Sequence, residues 1–107
     1  MGGVPTAKVI KELQNLKKKV HKAFKIDTML LFGSRAKGEE FLTSDVDVIV
    51  VSQDFAAIPF RQRPNKFLDA WKLPVDLEIL YYSPAELKRK QREIGLVQEA
   101  LKTAKVI

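Results

Sequence analysis

Residues 31–38 read LFGSRAKG, and residues 44–48 read SDVDV. In the first segment an apolar strand runs into a glycine–serine turn, and the second segment opens another strand with two aspartates. Because side chains alternate across a strand, Asp45 and Asp47 project from one face, about 6–7 Å apart along it. Two carboxylates at this spacing can share hard divalent cations, and Mg²⁺ prefers a few carboxylates combined with substrate phosphates.

The turn between these strands supplies the complementary chemistry. Gly33 and Ser34 can present backbone N–H groups at the start of a helical turn, where an anionic phosphate is favoured. An ordinary turn is the alternative for two such residues taken alone, but the nearby carboxylate pair favours a phosphate site. The two segments together predict metal-assisted transfer of a nucleotidyl group.

Composition narrows the classes of chemistry. The chain has 107 residues with no cysteine and a single histidine, which predicts one domain spanning 1–107 and argues against thiolate zinc sites and histidine-dependent triads. The formal net charge of +6 favours anionic partners such as nucleotides or RNA, although solubilising charge is the alternative. No apolar stretch is long enough to cross a membrane, and we expect a cytoplasmic protein.

The apolar pattern predicts the order of the elements. Valines and leucines at three- and four-residue steps predict a helix over residues 5–24 that ends at Phe24. Further elements are expected at these positions: strands at 28–32, 45–52 and 75–82, a helical turn at 34–37, a loop at 39–43, a loop at 53–63, and a helix from Pro64 to Trp71.

Two of these elements carry more specific expectations. The second strand is apolar on both faces, which is typical of the middle of a covered sheet and places its carboxylates at the sheet end. Ser83, Pro84 and Glu86 predict a helix that starts with a capping box, and Gly95 is expected to split or bend that helix.

The glycine–serine turn, Gly38 and the Ser44-Asp45-x-Asp47 motif together resemble the signature of the nucleotidyltransferase superfamily related to DNA polymerase beta. The short chain is similar to the minimal nucleotidyltransferase (MNT) branch, and the resemblance covers roughly residues 30–86. It implies an α+β fold with a small mixed sheet, helices packed mainly on one face and a carboxylate cleft at an edge.

The resemblance also implies an activity and its site. A nucleoside monophosphate, expected to be AMP, would pass from a nucleoside triphosphate to a hydroxyl acceptor with the help of two Mg²⁺ ions, for which Mn²⁺ could substitute. The catalytic and metal-binding residues implied are Asp45, Asp47 and Asp76, because Val75-Asp76-Leu77 matches a tripeptide of the family. Glu78, on the same strand face as Asp76, is the alternative third carboxylate.

The nucleotide-binding residues implied by the resemblance are Gly33, Ser34, Arg35 and Lys37. The Ser34 hydroxyl and N–H would hold the triphosphate, and the two cations would neutralise its charge. Surface ion pairs with neighbouring glutamates are the alternative for the cations. We also expect Ser44 to orient its loop, and Arg61 or Arg63 is a weaker candidate to reach the nucleotide or a partner.

Partners follow from the same resemblance. Minimal members commonly pair with small helical proteins of the HEPN type in toxin–antitoxin modules, so a partner protein could supply the acceptor, for example a tyrosine. A homo-oligomer is the other possibility. The C-terminal apolar residues either form that interface or pack on the sheet: Leu87, Ile94, Val97 and Leu101.

Two other functions remain open from the residues. The chain could be a binding module that masks a partner without catalysis, in the manner of an antitoxin. It could also be a small basic RNA-binding protein, although it lacks interleaved aromatic and basic side chains, and an acidic cleft would repel phosphate without metal. Metal-dependent nucleotide binding would separate the enzyme from both.

Overall fold

A computed structural model describes residues 4–23, 25–38, 45–63 and 69–107. Within them the strands are β1 (Thr28–Phe32), β2 (Val46–Val51), β3 (Leu77–Tyr82) and β4 (Lys105–Val106). The helices are α1 (Thr6–Val20), α2 (Ser34–Lys37), α3 (Pro84–Arg92) and α4 (Leu96–Leu101), with 3₁₀ helices at Gln53–Ala57 and Phe60–Gln62. Phe24, the loop at 39–43, Ser44 and most of the helix expected at 64–71 lie outside the described residues.

Helix α1 forms because four apolar residues recur at helical spacing on one face. Val9, Leu13, Leu16 and Val20 are each at most 5% exposed. Pro5 stands at the N-cap in an extended conformation, where its missing N–H leaves no bond unmade. The helix ends at Val20, earlier than the expected residue 24.

The sheet has the strand order β3-β2-β1-β4. Strand β2 pairs in parallel with β3 and antiparallel with β1, and β4 pairs antiparallel with β1. β2 is therefore a central strand, as its two apolar faces predict. The fold class, an α+β protein with a small mixed sheet, is confirmed, but helices pack on both faces of the sheet, where they were expected mainly on one. The fourth strand was not expected from the sequence.

The two faces of the sheet carry separate apolar clusters. On one face α1 packs over alternate residues of the central strands, among them Met29, Leu31, Val46, Val48 and Val50. On the other face Val97 and Ala100 of α4 pack over the remaining set, which includes Leu30, Phe32, Ile49 and Val51. Because residues two apart share a face, Asp47 belongs to the face covered by α4.

The C-terminal helices begin as the sequence predicts. The Ser83 hydroxyl accepts the Glu86 N–H at 3.3 Å, and Glu86 Oε1 accepts the Ser83 N–H at 2.8 Å, which confirms the capping box. Gly95 separates α3 from α4. Of the apolar stripe expected here, Leu87, Val97 and Leu101 pack on the sheet, whereas Ile94 is 97% exposed.

None of the helices in the described ranges is long and apolar enough to cross a membrane.

Candidate active site

The turn after β1 brings the backbone against a carboxylate of β2. Gly33 adopts φ +76° and ψ −159°, a conformation that side chains with a β-carbon rarely adopt. A β-carbon built on Gly33 would lie 2.6 Å from Oδ2 of Asp47. Glycine is therefore required here both by the backbone conformation and by the space that the Asp47 carboxylate occupies.

Asp47 belongs to β2, which is flanked by β1 and β3, and it lies at the end of the sheet where β2 and β3 begin. It is opposite Phe32 on β1 and opposite Glu78 on β3. The pKa of the half-buried Asp47 carboxyl is raised to about 6, chiefly by burial and further by a hydrogen bond with Glu78 and by the negative charges of Glu78 and Asp45. Asp47 therefore keeps its proton to a higher pH than an ordinary aspartate, and a bound cation would offset the negative charge that surrounds it.

The structure gives Glu78, rather than Asp76, the position beside Asp47. Asp76 lies one position before β3, and its carbonyl accepts the Val46 N–H at 2.8 Å. Parallel pairing thus sets Asp76 level with Asp45 and sets Glu78 level with Asp47. The expectation that Asp76 is the third carboxylate came from a tripeptide match, which carries no information about strand register.

A cleft of about 360 Å³ opens from the Asp47–Glu78 pair toward α4. Its apolar lining comes from the strands on one side and from α4 on the other, and consists of Phe32, Ile79, Leu80, Leu96 and Ala100. Its polar lining consists of Lys37, Asp47, Glu78, Glu99 and Thr103, beside Gly33. The lining residues of α4 and Thr103, in the turn after it, were missed from the sequence, although positions 96, 99 and 100 have the spacing of one helix face.

Arg35 and Lys37 occupy opposite environments although both belong to α2. Lys37 is exposed and lines the cleft. Arg35 is 1% exposed, and its guanidinium donates hydrogen bonds to the Val4 carbonyl and, at 3.3 Å, to the Thr6 hydroxyl. Residues two apart in a helix point in different directions, so the two side chains of this single turn face different surroundings. Arg35 anchors the start of α1. It does not line the cleft, contrary to the expectation that it binds the nucleotide.

Arg63 is also structural. Its guanidinium donates to Glu86 Oε1 and Oε2 at 2.7 and 2.9 Å and to the Tyr81 carbonyl at 2.7 Å. These bonds hold the pKa of Glu86 at about 2. The bidentate pair joins the segment after β2 to α3, whereas Arg61 is exposed. Arg63 therefore does not reach toward a nucleotide.

The described residues contain no three histidine, cysteine, aspartate or glutamate side chains arranged closely enough to hold a metal ion by themselves. Mg²⁺ does not require such a cage, because it is commonly bound by one or two carboxylates together with substrate phosphates and water. The carboxyl groups of Asp47 and Glu78, which lie within hydrogen-bonding distance, open to a cleft and border Gly33, fit this kind of coordination. Ser34, which was expected to hold the triphosphate, is the half-buried first residue of α2 directly after Gly33, and it is not among the residues that line the cleft.

The comparisons with known proteins agree with this geometry. The family described as Polymerase beta, Nucleotidyltransferase matches residues 14–107. A crystal structure from Sulfolobus solfataricus, of a protein described as a presumed nucleotidyltransferase, superposes with a TM-score of 0.64. The two sequences are 22% identical over 79% of this chain and 76% of that chain, which shows a common fold.

No curated protein sequence matches the chain. The family match nevertheless covers most of it, including the glycine–serine turn, both strands of the carboxylate pair and α4. The chain therefore belongs to the Polymerase beta nucleotidyltransferase family.

Proposed function

We propose that this protein is a metal-dependent nucleotidyltransferase that moves a nucleoside monophosphate from a nucleoside triphosphate to a hydroxyl acceptor. The observation that carries the proposal is the Asp47–Glu78 carboxyl pair placed against the Gly33 turn at the mouth of a cleft. Membership of the family supports nucleotidyl transfer in general. The metal, the nucleotide and the acceptor are parts of the proposal.

The transfer is a substitution at the α-phosphorus. The acceptor oxygen forms a bond to this phosphorus and loses its proton, while the bond to the bridging oxygen of the β-phosphate breaks and pyrophosphate leaves. Such reactions need positioning and charge stabilisation more than covalent chemistry from the protein.

Each part of the site has a role in this scheme. Asp47 and Glu78 would hold Mg²⁺ or Mn²⁺ together with the substrate phosphates, and Asp45 would help to hold a second ion; when bound, the ions would supply positive charge to the attacking and leaving oxygens. The Gly33-Ser34 turn and the Lys37 ammonium would hold the phosphates. Asp76 is level with Asp45 where β2 and β3 begin, and its negative charge would add to that of the carboxylates that hold the metal.

The size of the cleft bears on the acceptor. About 360 Å³ is at the lower end of the range for small-molecule sites, which suits one nucleotide better than a nucleotide with its acceptor. We therefore propose that the acceptor hydroxyl approaches from outside the cleft, on a small helical partner of the HEPN type or on a second copy of the chain. AMP is the group that we propose to be transferred.

The test is transfer of label from each α-labelled nucleoside triphosphate, with Mg²⁺ or Mn²⁺, in the presence of the co-expressed partner. We expect label on the acceptor with the wild-type chain and its loss after chelation of the metal. Asp47→Asn and Asp45→Asn should each abolish transfer while thermal unfolding shows an intact fold. Asp69→Asn, which changes an exposed carboxylate outside the site, is the matched control.

Full transfer by either site variant would contradict the carboxylate assignment. Metal-independent partner binding without any labelled product would favour the non-catalytic antitoxin-type module instead.

A further inference from the structure

Helix α4 forms a second wall of the cleft, opposite the carboxylate strands. Leu96, Glu99, Ala100 and Thr103 all line the cleft. The Leu96 side chain is 66% exposed, although it is a large apolar residue at the mouth of a cavity. A ligand in the cleft would cover it. The function described so far uses none of these residues.

The direction of α4 along the cleft follows from its two ends. Lys105 pairs with Leu31, and β4 is antiparallel to β1, so the chain approaches β4 from the Gly33 end of the sheet. Thr103 therefore lies at the phosphate end of the cleft. Leu96 also lines a smaller cavity with Leu80 and Tyr82, near the far end of β3. The helix thus runs from the far end of the cleft toward the phosphate turn.

Glu99 lies between these two ends. Thr103 stands in the turn that follows α4, where its N–H bonds to the Ala100 carbonyl, so Glu99 lies roughly one helical turn, about 5 Å, before it. If the triphosphate lies at Gly33 and Lys37, a group one helical turn farther along the cleft is the sugar, and the apolar end formed by Leu80 and Leu96 receives the base.

We propose, resting on the nucleotidyl transfer function above, that Glu99 selects ribonucleotides by accepting a hydrogen bond from the 2′-hydroxyl of the bound nucleoside triphosphate. The substrate class is then the ribonucleoside triphosphates, in preference to their 2′-deoxy counterparts. Glu99 acts on specificity and is not a metal ligand.

The local contacts of Glu99 suit this role. Its Oε1 accepts a hydrogen bond from the Lys102 ammonium at 3.0 Å, and both side chains are more than 60% exposed. An ionised carboxylate has several acceptor positions and no donor, so the second oxygen can accept a hydroxyl hydrogen bond. A hydrogen bond to a charged group is among the stronger ones, and its loss is expected to weaken binding about tenfold or more.

The experiment measures the ratio of dissociation constants for ribo- and 2′-deoxyribonucleotides. The full chain with Mg²⁺, and without an acceptor, is titrated calorimetrically with the pairs ATP and dATP, GTP and dGTP, CTP and dCTP, UTP and dUTP. We expect the best-bound base to show a preference of about tenfold or more for the ribonucleotide. In Glu99→Ala the ratio should fall to about one.

Glu93→Ala is the matched control. Glu93 is an exposed carboxylate that, like Glu99, forms an ion pair with a lysine three residues away, here Lys90 at 3.5 Å. It does not line the cleft. Removing a negative charge strengthens binding of any triphosphate, but it does so equally for both sugars. The ratio therefore reports the hydroxyl contact alone and should stay at the wild-type value in Glu93→Ala.

Equal binding of ribo- and deoxyribonucleotides by the wild type would overturn the role of Glu99, as would an unchanged ratio in Glu99→Ala. Either result leaves nucleotidyl transfer standing, because metal-dependent binding itself is observed. Failure of every triphosphate to bind the wild type would instead overturn the proposed function, and the role of Glu99 with it.

Discussion

The Gly33 backbone and the Asp47 carboxylate occupy adjoining space, so that a β-carbon on Gly33 would lie 2.6 Å from Oδ2. This contact joins the two motifs that define the site, one on the turn after β1 and one on β2. Each constrains the other, because the carboxylate can take this position only where the opposing residue has no side chain.

Gly33→Ala tests this relationship against Gly38→Ala. Both glycines have φ +76°, but within the described ranges no atom lies within 4 Å of a β-carbon built on Gly38. We expect Gly38→Ala to cost about 1–3 kcal/mol of unfolding free energy from backbone strain and to leave Mg²⁺-dependent nucleotide binding unchanged. Gly33→Ala should lose nucleotide binding as well, because Asp47 is displaced. Denaturant unfolding and titration calorimetry provide the two readouts.

Wild-type nucleotide affinity in a folded Gly33→Ala variant would show that Asp47 need not lie against this turn.

The register of β2 and β3 predicts which third carboxylate matters more. Glu78 is opposite Asp47 and interacts with it, whereas Asp76 lies one position before the strand. We expect the turnover of Glu78→Gln to be about tenfold or more lower than that of Asp76→Asn. A tenfold difference corresponds to about 1.4 kcal/mol in activation free energy. Steady-state rates at saturating Mg²⁺ compare the two. The reverse order would return the third position to Asp76.

Substitution of the two cations of α2 should have different effects: one should lower stability and the other nucleotide affinity. Arg35→Met leaves the Val4 carbonyl without a charged donor and is expected to lower the unfolding free energy by about 1–3 kcal/mol. Lys37→Met removes an exposed cation of the cleft, so nucleotide affinity should fall while stability stays within about 0.5 kcal/mol. Paired denaturant unfolding and nucleotide titrations provide the comparison. An Arg35→Met variant with native stability and weakened binding would place Arg35 at the phosphates.

The pair of Arg63 and Glu86 predicts a dependence of stability on acid. The pKa of Glu86 is lowered from 4.5 to about 2, chiefly by the hydrogen bonds from Arg63. Because the folded-state pKa is depressed, its stabilisation is fully present above pH 4.5 and is lost as the pH falls through about 2. Glu86→Gln should therefore lose stability relative to the wild type at pH 7, and the difference should shrink on acidification.

Thermal unfolding between pH 7 and pH 2 measures this difference. Glu93→Gln, which alters the exposed pair with Lys90, is the control and should match the wild type throughout. A Glu86→Gln difference that does not change with pH would show that the carboxylate contributes by packing alone.

Short-range rules predicted much of the fold from the sequence. Apolar residues on both faces of the strand at 46–51 identified it as a central strand, and the Asp45–Asp47 spacing placed both carboxylates on one face. The capping box at Ser83 and the break at Gly95 were also readable, since capping and helix periodicity operate within one or two turns. For the same reason, the glycine–serine turn could be placed between the first two strands.

Tertiary structure decided what depends on residues distant in the chain. The register of β3 against β2 put Glu78 opposite Asp47, and no local pattern specifies a register between strands about thirty residues apart. The hydrogen bonds of Arg35 to Val4 and Thr6, at the start of α1, hold a guanidinium that is buried, whereas Lys37 is exposed. The return of the chain through β4 laid α4 along the cleft and brought Glu99 to it. Sequence alone determined the chemistry available at the turn and strand, whereas packing determined which charged side chains are free to use it.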